Sequence, residues 1–129
     1  MKKHPLKERL TSQKKIIMDY LKSTKSHPSA EKVYLEAKKK LPQISKGTVY
    51  RILSSFKDKE DVLEIPVNGV AYFDADISFH SHFICIKCGR IFDIFDACSK
   101  CKTIKNKKIK FGKIKNYKIY FYGICKFCK

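Results

Sequence analysis

Ser45-Lys46-Gly47-Thr48-Val49-Tyr50-Arg51-Ile52-Leu53-Ser54-Ser55-Phe56 is the stretch from which the fold can be read. Ser45 is a good helix N-cap, and Val49, Ile52, Leu53 and Phe56 recur at helical spacing, so one apolar stripe faces a core. Lys46, Thr48, Tyr50, Arg51 and Ser54 or Ser55 are left outward, a mix able to reach base edges and phosphates. Immediately upstream, Ser29 caps a second helix with Val33, Ala37 and Leu41 on its inner face, and Pro42 stops it. The short Gln43-Ile44 turn between the two makes a helix-turn-helix pattern. A first helix, capped by Thr11, is expected to run through Ile16, Ile17, Tyr20 and Leu21 and to end before His27-Pro28.

Downstream, Val62 to Pro66 and Val70 to Asp74 are β-prone runs around Asn68-Gly69, a pair that favours a tight hairpin turn. Three helices followed by a hairpin is the winged-helix layout. From about His80 the pattern becomes short strands: His82 to Cys85, Arg90 to Phe95, and Tyr117 to Tyr122. Residues 97–113 hold only a weak helical pattern. The expected class is α+β, with a winged helix-turn-helix domain over residues 1–75 and a small α/β domain over residues 76–129.

The 129 residues can bury one modest core or two small ones, so a second lobe would need a staple. No apolar run is long enough to span a bilayer, and the Met-Lys-Lys start is not followed by a signal-type apolar block, so a cytoplasmic protein without a membrane partner is expected. The formal charge of +17 points to a polyanion partner. Residues 1–60 carry 16 basic against 6 acidic side chains, residues 61–96 carry 2 against 6, and residues 97–129 carry 11 against none. A basic first lobe before an acidic, histidine-bearing middle suggests a DNA-reading module joined to a cation-binding region. The scattered lysines of the tail are equally consistent with a compositional bias.

Six cysteines without a secretory signal point to metal thiolates rather than disulfides. They form three Cys-x-x-Cys pairs. Two such knuckles beside separate strands supply four thiolates with little loop strain, which suits structural zinc, and Cys85, Cys88, Cys125 and Cys128 are assigned as that site. The spacing is more specific for zinc than for which pairs join. Cys98 and Cys101 are a competing or added ligand pair, a redox-sensitive dithiol, or idle thiols. The last is favoured, because four ligands already saturate one zinc and no further pair remains to complete another.

A separate constellation comprises Asp74, His80, His82 and Asp93, with His27 entering from the first lobe. His80 and His82 lie two apart, so on an extended strand both imidazoles face the same side. Nitrogen and oxygen ligands without thiolate suit iron(II), manganese(II) or zinc.

Taken together, His27-Pro28-Ser29-Ala30-Glu31, Ile44-Ser45-Lys46-Gly47-Thr48-Val49-Tyr50-Arg51, His80-Ser81-His82-Phe83-Ile84-Cys85-x-x-Cys88-Gly89 and Tyr122-Gly123-x-Cys125-x-x-Cys128 resemble the ferric uptake regulator family over nearly the whole chain. The resemblance implies an N-terminal winged helix, a C-terminal dimerisation domain, a structural zinc held by four cysteines, and a regulatory metal bound between the domains. The peroxide-responsive branch is the most similar. Its regulatory ligands, three histidines and two aspartates, carry over onto His27, Asp74, His80, His82 and Asp93. Aspartate at position 93, where iron-sensing relatives usually place glutamate, favours that branch.

What the branch implies is a homodimeric repressor that binds a palindromic double-stranded operator when iron(II) or manganese(II) is bound. Peroxide then oxidises a ligand at His27 or His80, with a hinge expected near residues 75–79. A sensor of iron, zinc or manganese availability is the alternative within the family. An enzyme is disfavoured, because no nucleophile-base pair can be read and a saturated ligand set leaves little room for activated water. The expected DNA contacts are Tyr50 and Arg51, with Lys46, Thr48 and Lys14 or Lys15. Two departures stand out: Asp61 replaces the family's glycine after the recognition helix, and the lysine-rich 97–113 replaces an acidic, leucine-rich helix.

Overall fold

The computed structural model describes residues 6–95 and 108–128, arranged as two compact units, Met1–Ile77 and Ser78–Lys129. The first unit holds α1 (Leu6–Ser23), α2 (Ala30–Lys40), α3 (Lys46–Asp58), β1 (Leu63–Val67) and β2 (Val70–Asp74). The second holds β3 (Ser81–Cys85), β4 (Ile91–Ile94), β5 (Lys108–Ile109), β6 (Gly112–Lys113) and β7 (Tyr120–Gly123). No helix among the described residues is long and apolar enough to cross a membrane.

The helix caps form where the polar side chains dictate. Ser29 Oγ accepts from the Lys32 amide at 3.2 Å, and Ser45 Oγ from the Thr48 amide at 3.1 Å, satisfying donors that the first helical turn leaves open. The inner faces of the three helices bury Ile17, Leu21, Val33, Ala37, Val49, Ile52, Leu53 and Phe56 against one another and against Phe73 of β2. The start of α1 differs from expectation. The helix runs unbroken from Leu6, so Thr11 lies inside it rather than capping it, because Lys7, Glu8, Arg9 and Leu10 are good helix formers with no breaker among them.

The exit of α3 closes a Schellman turn. The Glu60 amide donates to Lys57 O at 3.0 Å and the Asp61 amide to Phe56 O at 2.8 Å, with Glu60 in the left-handed region at φ 61°. The strained position is therefore Glu60, one residue before Asp61. In the hairpin, Asn68 (φ 51°) and Gly69 (φ 79°) both take positive φ, as a two-residue type I′ turn requires, and Val67 pairs with Val70 across it.

In the second unit β3 is central, antiparallel to β4 and parallel to β7. β4 and β7 are shorter than the sequence runs imply, whereas β3 starts one residue earlier. The core is small: among the described residues only Ile84, Cys85 and Cys125 are buried apolar side chains there. Such a lobe lacks the apolar burial to hold itself and depends on another cross-link. Residues 108–113, expected to be weakly helical, form the hairpin β5–β6 instead. Lys-Ile-Lys-Phe alternates with period two, and Gly112 takes φ 157°, so the local pattern is that of a strand pair. The remainder of the weakly helical segment, with Cys98 and Cys101, lies outside the described residues.

Candidate metal centres and recognition helix

Cys85 closes β3 and Cys125 follows β7 by two residues, and because those strands are parallel neighbours both knuckles emerge at the same end of the sheet. The four sulfurs of Cys85, Cys88, Cys125 and Cys128 lie within 4.8 Å of one another. Cys88 Sγ and Cys125 Sγ are 3.7 Å apart. Four thiolates placed tetrahedrally about 2.3 Å from one zinc would stand about 3.8 Å apart, so the cluster already has the spacing of a zinc site. The amides of Lys87, Cys88 and Cys125 each donate to Cys85 Sγ at 3.4 Å, the last joining one knuckle to the other. Gly89 at φ 79° turns the chain out of the first knuckle.

The proton inventory of the cluster follows from those contacts. Burial pushes the Cys85 thiol up, but the amides of Cys125, Cys88 and Lys87 outweigh it and bring it down to about 6. Burial also acts upward on Cys125, and the Phe127 amide and Cys128 bring it below the ordinary thiol value. Cys128, hydrogen-bonded to Cys88 and then affected by burial, is pushed up to about 12. Crowding among the sulfurs thus holds the proton on Cys128, and a divalent ion at the cluster would have to displace it.

In the first unit His27 sits in the loop between α1 and α2, buried, at φ 54°. The loop is stitched to β2 by the Phe73 amide donating to Pro28 O at 2.9 Å and by a bridge between Ser29 and Tyr72. That register brings His27 Nε2 to 3.3 Å from Oδ2 of Asp74, the last residue of β2. The other oxygen, Asp74 Oδ1, accepts from the Asp76 amide at 2.9 Å, which fixes the carboxylate plane.

In the second unit His82 and Asp93 are directly opposed across β3 and β4. Asp93 Oδ1 lies 3.2 Å from His80 Nε2 and 3.3 Å from His82 Nε2. Ligands about 2.1 Å from an ion and at right angles would be about 3 Å apart, so each imidazole nitrogen stands at about ligand spacing from that one oxygen. The ring centroids of His80 and His82 are 4.5 Å apart, the same-side placement expected of residues two apart. His80 Nδ1 donates to Ser78 O at 2.8 Å, which fixes the tautomer and leaves the Nε2 lone pair facing Asp93. Sequence gave no signal for this backbone orienter, because any residue at position 78 carries the carbonyl.

On α3, Tyr50 and Arg51 are exposed and Thr48 half-buried. Arg51 Nη2 donates to Thr48 Oγ1 at 3.2 Å, and Thr48 Oγ1 is 2.9 Å from Ser45 Oγ. A Cβ on Gly47 would come within 3.5 Å of Arg51 Nη1, so the guanidinium lies folded back over the glycine. This chain of contacts pre-orders Arg51, a role for Ser45 and Gly47 that helical spacing alone does not reveal. Lys46 reaches Glu31 at 2.8 Å and sits 5.4 Å over the Tyr34 ring. On α1, Lys15 pairs with Asp19 at 2.9 Å, whereas Lys14 is half-buried.

The sequence matches the family model of the ferric uptake regulator family over residues 6–122. The peroxide-responsive repressor PerR of Staphylococcus epidermidis is 35% identical over 123 residues, covering 94% of this chain and 81% of its own. A solved peroxide stress regulator from Campylobacter jejuni matches with a TM-score of 0.81 at 31% identity, over 93% of this chain and 91% of its own. The Helicobacter pylori ferric uptake regulator, 21% identical, gives a TM-score of 0.75 over 91% of this chain and 79% of its own, a likeness of fold.

Proposed function

The chain belongs to the ferric uptake regulator family, and from that premise we propose that it is a metal-dependent DNA-binding transcriptional repressor that senses peroxide. Repressors of this family bind DNA and form dimers. The finer reading is a homodimer acting in the cytoplasm on a palindromic operator, with residues 1–75 reading DNA and residues 76–129 pairing the subunits. Zinc held by Cys85, Cys88, Cys125 and Cys128 cross-links the second unit, supplying the stability its small core lacks.

His27, Asp74, His80, His82 and Asp93 are proposed as ligands of a second ion, iron(II) or manganese(II). The observation that carries this reading is the pair of imidazole Nε2 atoms at 3.2 and 3.3 Å from one Asp93 oxygen, a nitrogen and oxygen set without thiolate. Since the five residues belong to both units, an ion held by all of them restrains one unit against the other, and DNA affinity then follows occupancy through a two-state equilibrium. Iron(II) held there would supply the redox chemistry by which hydrogen peroxide is activated. Ser78 O holds the His80 ring in place by its Nδ1–H, and His27 is held by its loop on β2, so both rings are fixed targets. Oxidation of either removes a ligand and releases the restraint. Tyr50, Arg51, Lys46, Thr48 and Lys14 or Lys15 are proposed to face DNA.

The test is Asp93→Asn beside the unsubstituted protein, titrated with manganese(II) on operator DNA. Loss of metal-dependent binding with unchanged zinc content supports the reading, and unchanged metal dependence overturns the ligand role of Asp93. A protein whose DNA binding follows buffered iron, zinc or manganese but ignores peroxide is instead a metal-availability sensor.

A further inference from the structure

The lysines of the two units are arranged differently. In the first unit Lys15, Lys32, Lys39, Lys46 and Lys57 each reach a carboxylate within 3.5 Å, so part of the lysine charge there is met by acidic partners. Residues 97–129 hold 11 lysines and no aspartate or glutamate. Among the described residues, none of Lys110, Lys113, Lys115 and Lys118 makes a salt bridge. Compositional bias would scatter lysines among carboxylates, and this segment segregates them.

Lys108 and Lys113 are Cα partners in the register of β5 and β6, and the turn between them is short. Phe111, at that turn, is 88% exposed, with Lys110 Nζ 5.8 Å from its ring centroid. In the following segment Ile114 and Tyr117 are half-buried while Lys113, Lys115 and Lys118 are exposed. Tyr117 packs on Phe79, ring centroids 4.5 Å apart, which ties this lysine-bearing segment to the chain just before β3. An exposed aromatic ring at a hairpin tip set among exposed lysines serves contact with a partner better than it serves packing.

We propose that the second unit carries a nucleic-acid-binding surface of its own: Lys110, Lys113, Lys115 and Lys118 grip duplex DNA phosphates, and Phe111 is the apolar contact at the hairpin tip. Lysines that neutralise phosphates release condensed counterions, and that release drives the binding. The aromatic tip gains contact with sugar or base surface, as apolar side chains inserted into a minor groove do. The inference rests on the family reading only in taking DNA as the polyanion. It adds sequence-independent affinity to whatever α3 reads.

The experiment measures binding of zinc-loaded full-length protein to a random-sequence duplex between about 50 and 200 mM salt. The variants are Lys110→Gln/Lys113→Gln/Lys115→Gln/Lys118→Gln, the same four positions changed to Arg, the pair Lys115→Gln/Lys118→Gln, and Phe111→Ala. Four lost phosphate contacts reduce the slope of log affinity against log salt by about 3.6, so the weakening across that salt range shrinks by about 10²-fold. The pair reduces the slope by about 1.8 and serves if the fourfold variant loses its zinc. The arginine variant keeps the slope, and Phe111→Ala weakens binding at every salt with the slope unchanged.

An unchanged slope in either glutamine variant overturns the proposal, as does a slope lost equally in the arginine variant. Phosphatidylserine vesicles that displace the duplex would assign the surface to a membrane and also overturn it. Metal-dependent operator binding is read separately at constant salt. Its failure would strike the proposed function and leave the random-duplex slope standing.

Discussion

Gly123→Ala tests how the sheet aims the zinc ligands. Gly123 is opposite Cys85 in the β3–β7 register, and a Cβ there would lie 3.0 Å from Cε1 and 3.1 Å from Cζ of Phe83, inside the 3.4 Å where ordinary contact begins. Relief requires a shift of a few tenths of an ångström. The Phe83 ring is near Phe92, centroids 6.2 Å apart, and β7 is tied by the Ile86 amide donating to Gly123 O at 2.8 Å. Overpacking of this kind costs about 1–3 kcal/mol. For a chain of this size each kcal/mol lowers Tm by about 4 °C, so zinc-loaded Gly123→Ala should melt about 4–12 °C below the unsubstituted protein. The displaced strand leads into Cys125 two residues on, so zinc should also pass to a competing chelator more readily. Phe83→Leu removes the offending ring edge, and the double variant should recover most of the alanine penalty relative to Phe83→Leu alone. Unchanged melting of Gly123→Ala, or a penalty that persists with leucine at position 83, would refute the close-approach argument.

Thr48→Val releases Arg51 while keeping the helix, and should lower operator affinity by about 1 kcal/mol, roughly fivefold, more than it lowers random-duplex affinity, with no further loss when added to Arg51→Ala; equal losses on both duplexes would deny the positioning role. Arg51→Ala should lose about 1–3 kcal/mol of discrimination, read as the ratio of operator to random-duplex affinity. Zinc loading of the metal-free protein near neutral pH should release at least one proton, since Cys128 is pushed up to about 12 and must ionise to ligate, and a weakly buffered indicator that records no release would contradict the proton inventory.

The helix-turn-helix was legible because Val49, Ile52, Leu53 and Phe56 state one period and Ser45 and Pro42 punctuate it, and propensity agrees with packing throughout. Asn68-Gly69 was legible for a different reason, since few other pairs adopt two successive positive φ values cheaply. The start of α1 was misplaced at Thr11 because an internal threonine and a capping one look alike when no breaker precedes them. Residues 108–113 were misread because lysine is a good helix former, and a six-residue hairpin is too short for period two to outweigh that propensity. At the sites, Cys-x-x-Cys and His-x-His spacing gave residue types and shared faces. Spacing could not show that His27 takes φ 54° to meet Asp74, because that conformation is imposed by the stitching of Pro28 and Ser29 to β2.

The central claim is tested most directly by operator binding of the zinc-loaded protein carrying iron(II) or manganese(II), before and after hydrogen peroxide, with mass spectrometry of the peptides holding His27 and His80. The account predicts that the iron form lets go of DNA as one of these histidines gains the mass of one oxygen atom, and that the manganese form holds on. An iron form that keeps its grip with both histidines unmodified would contradict it.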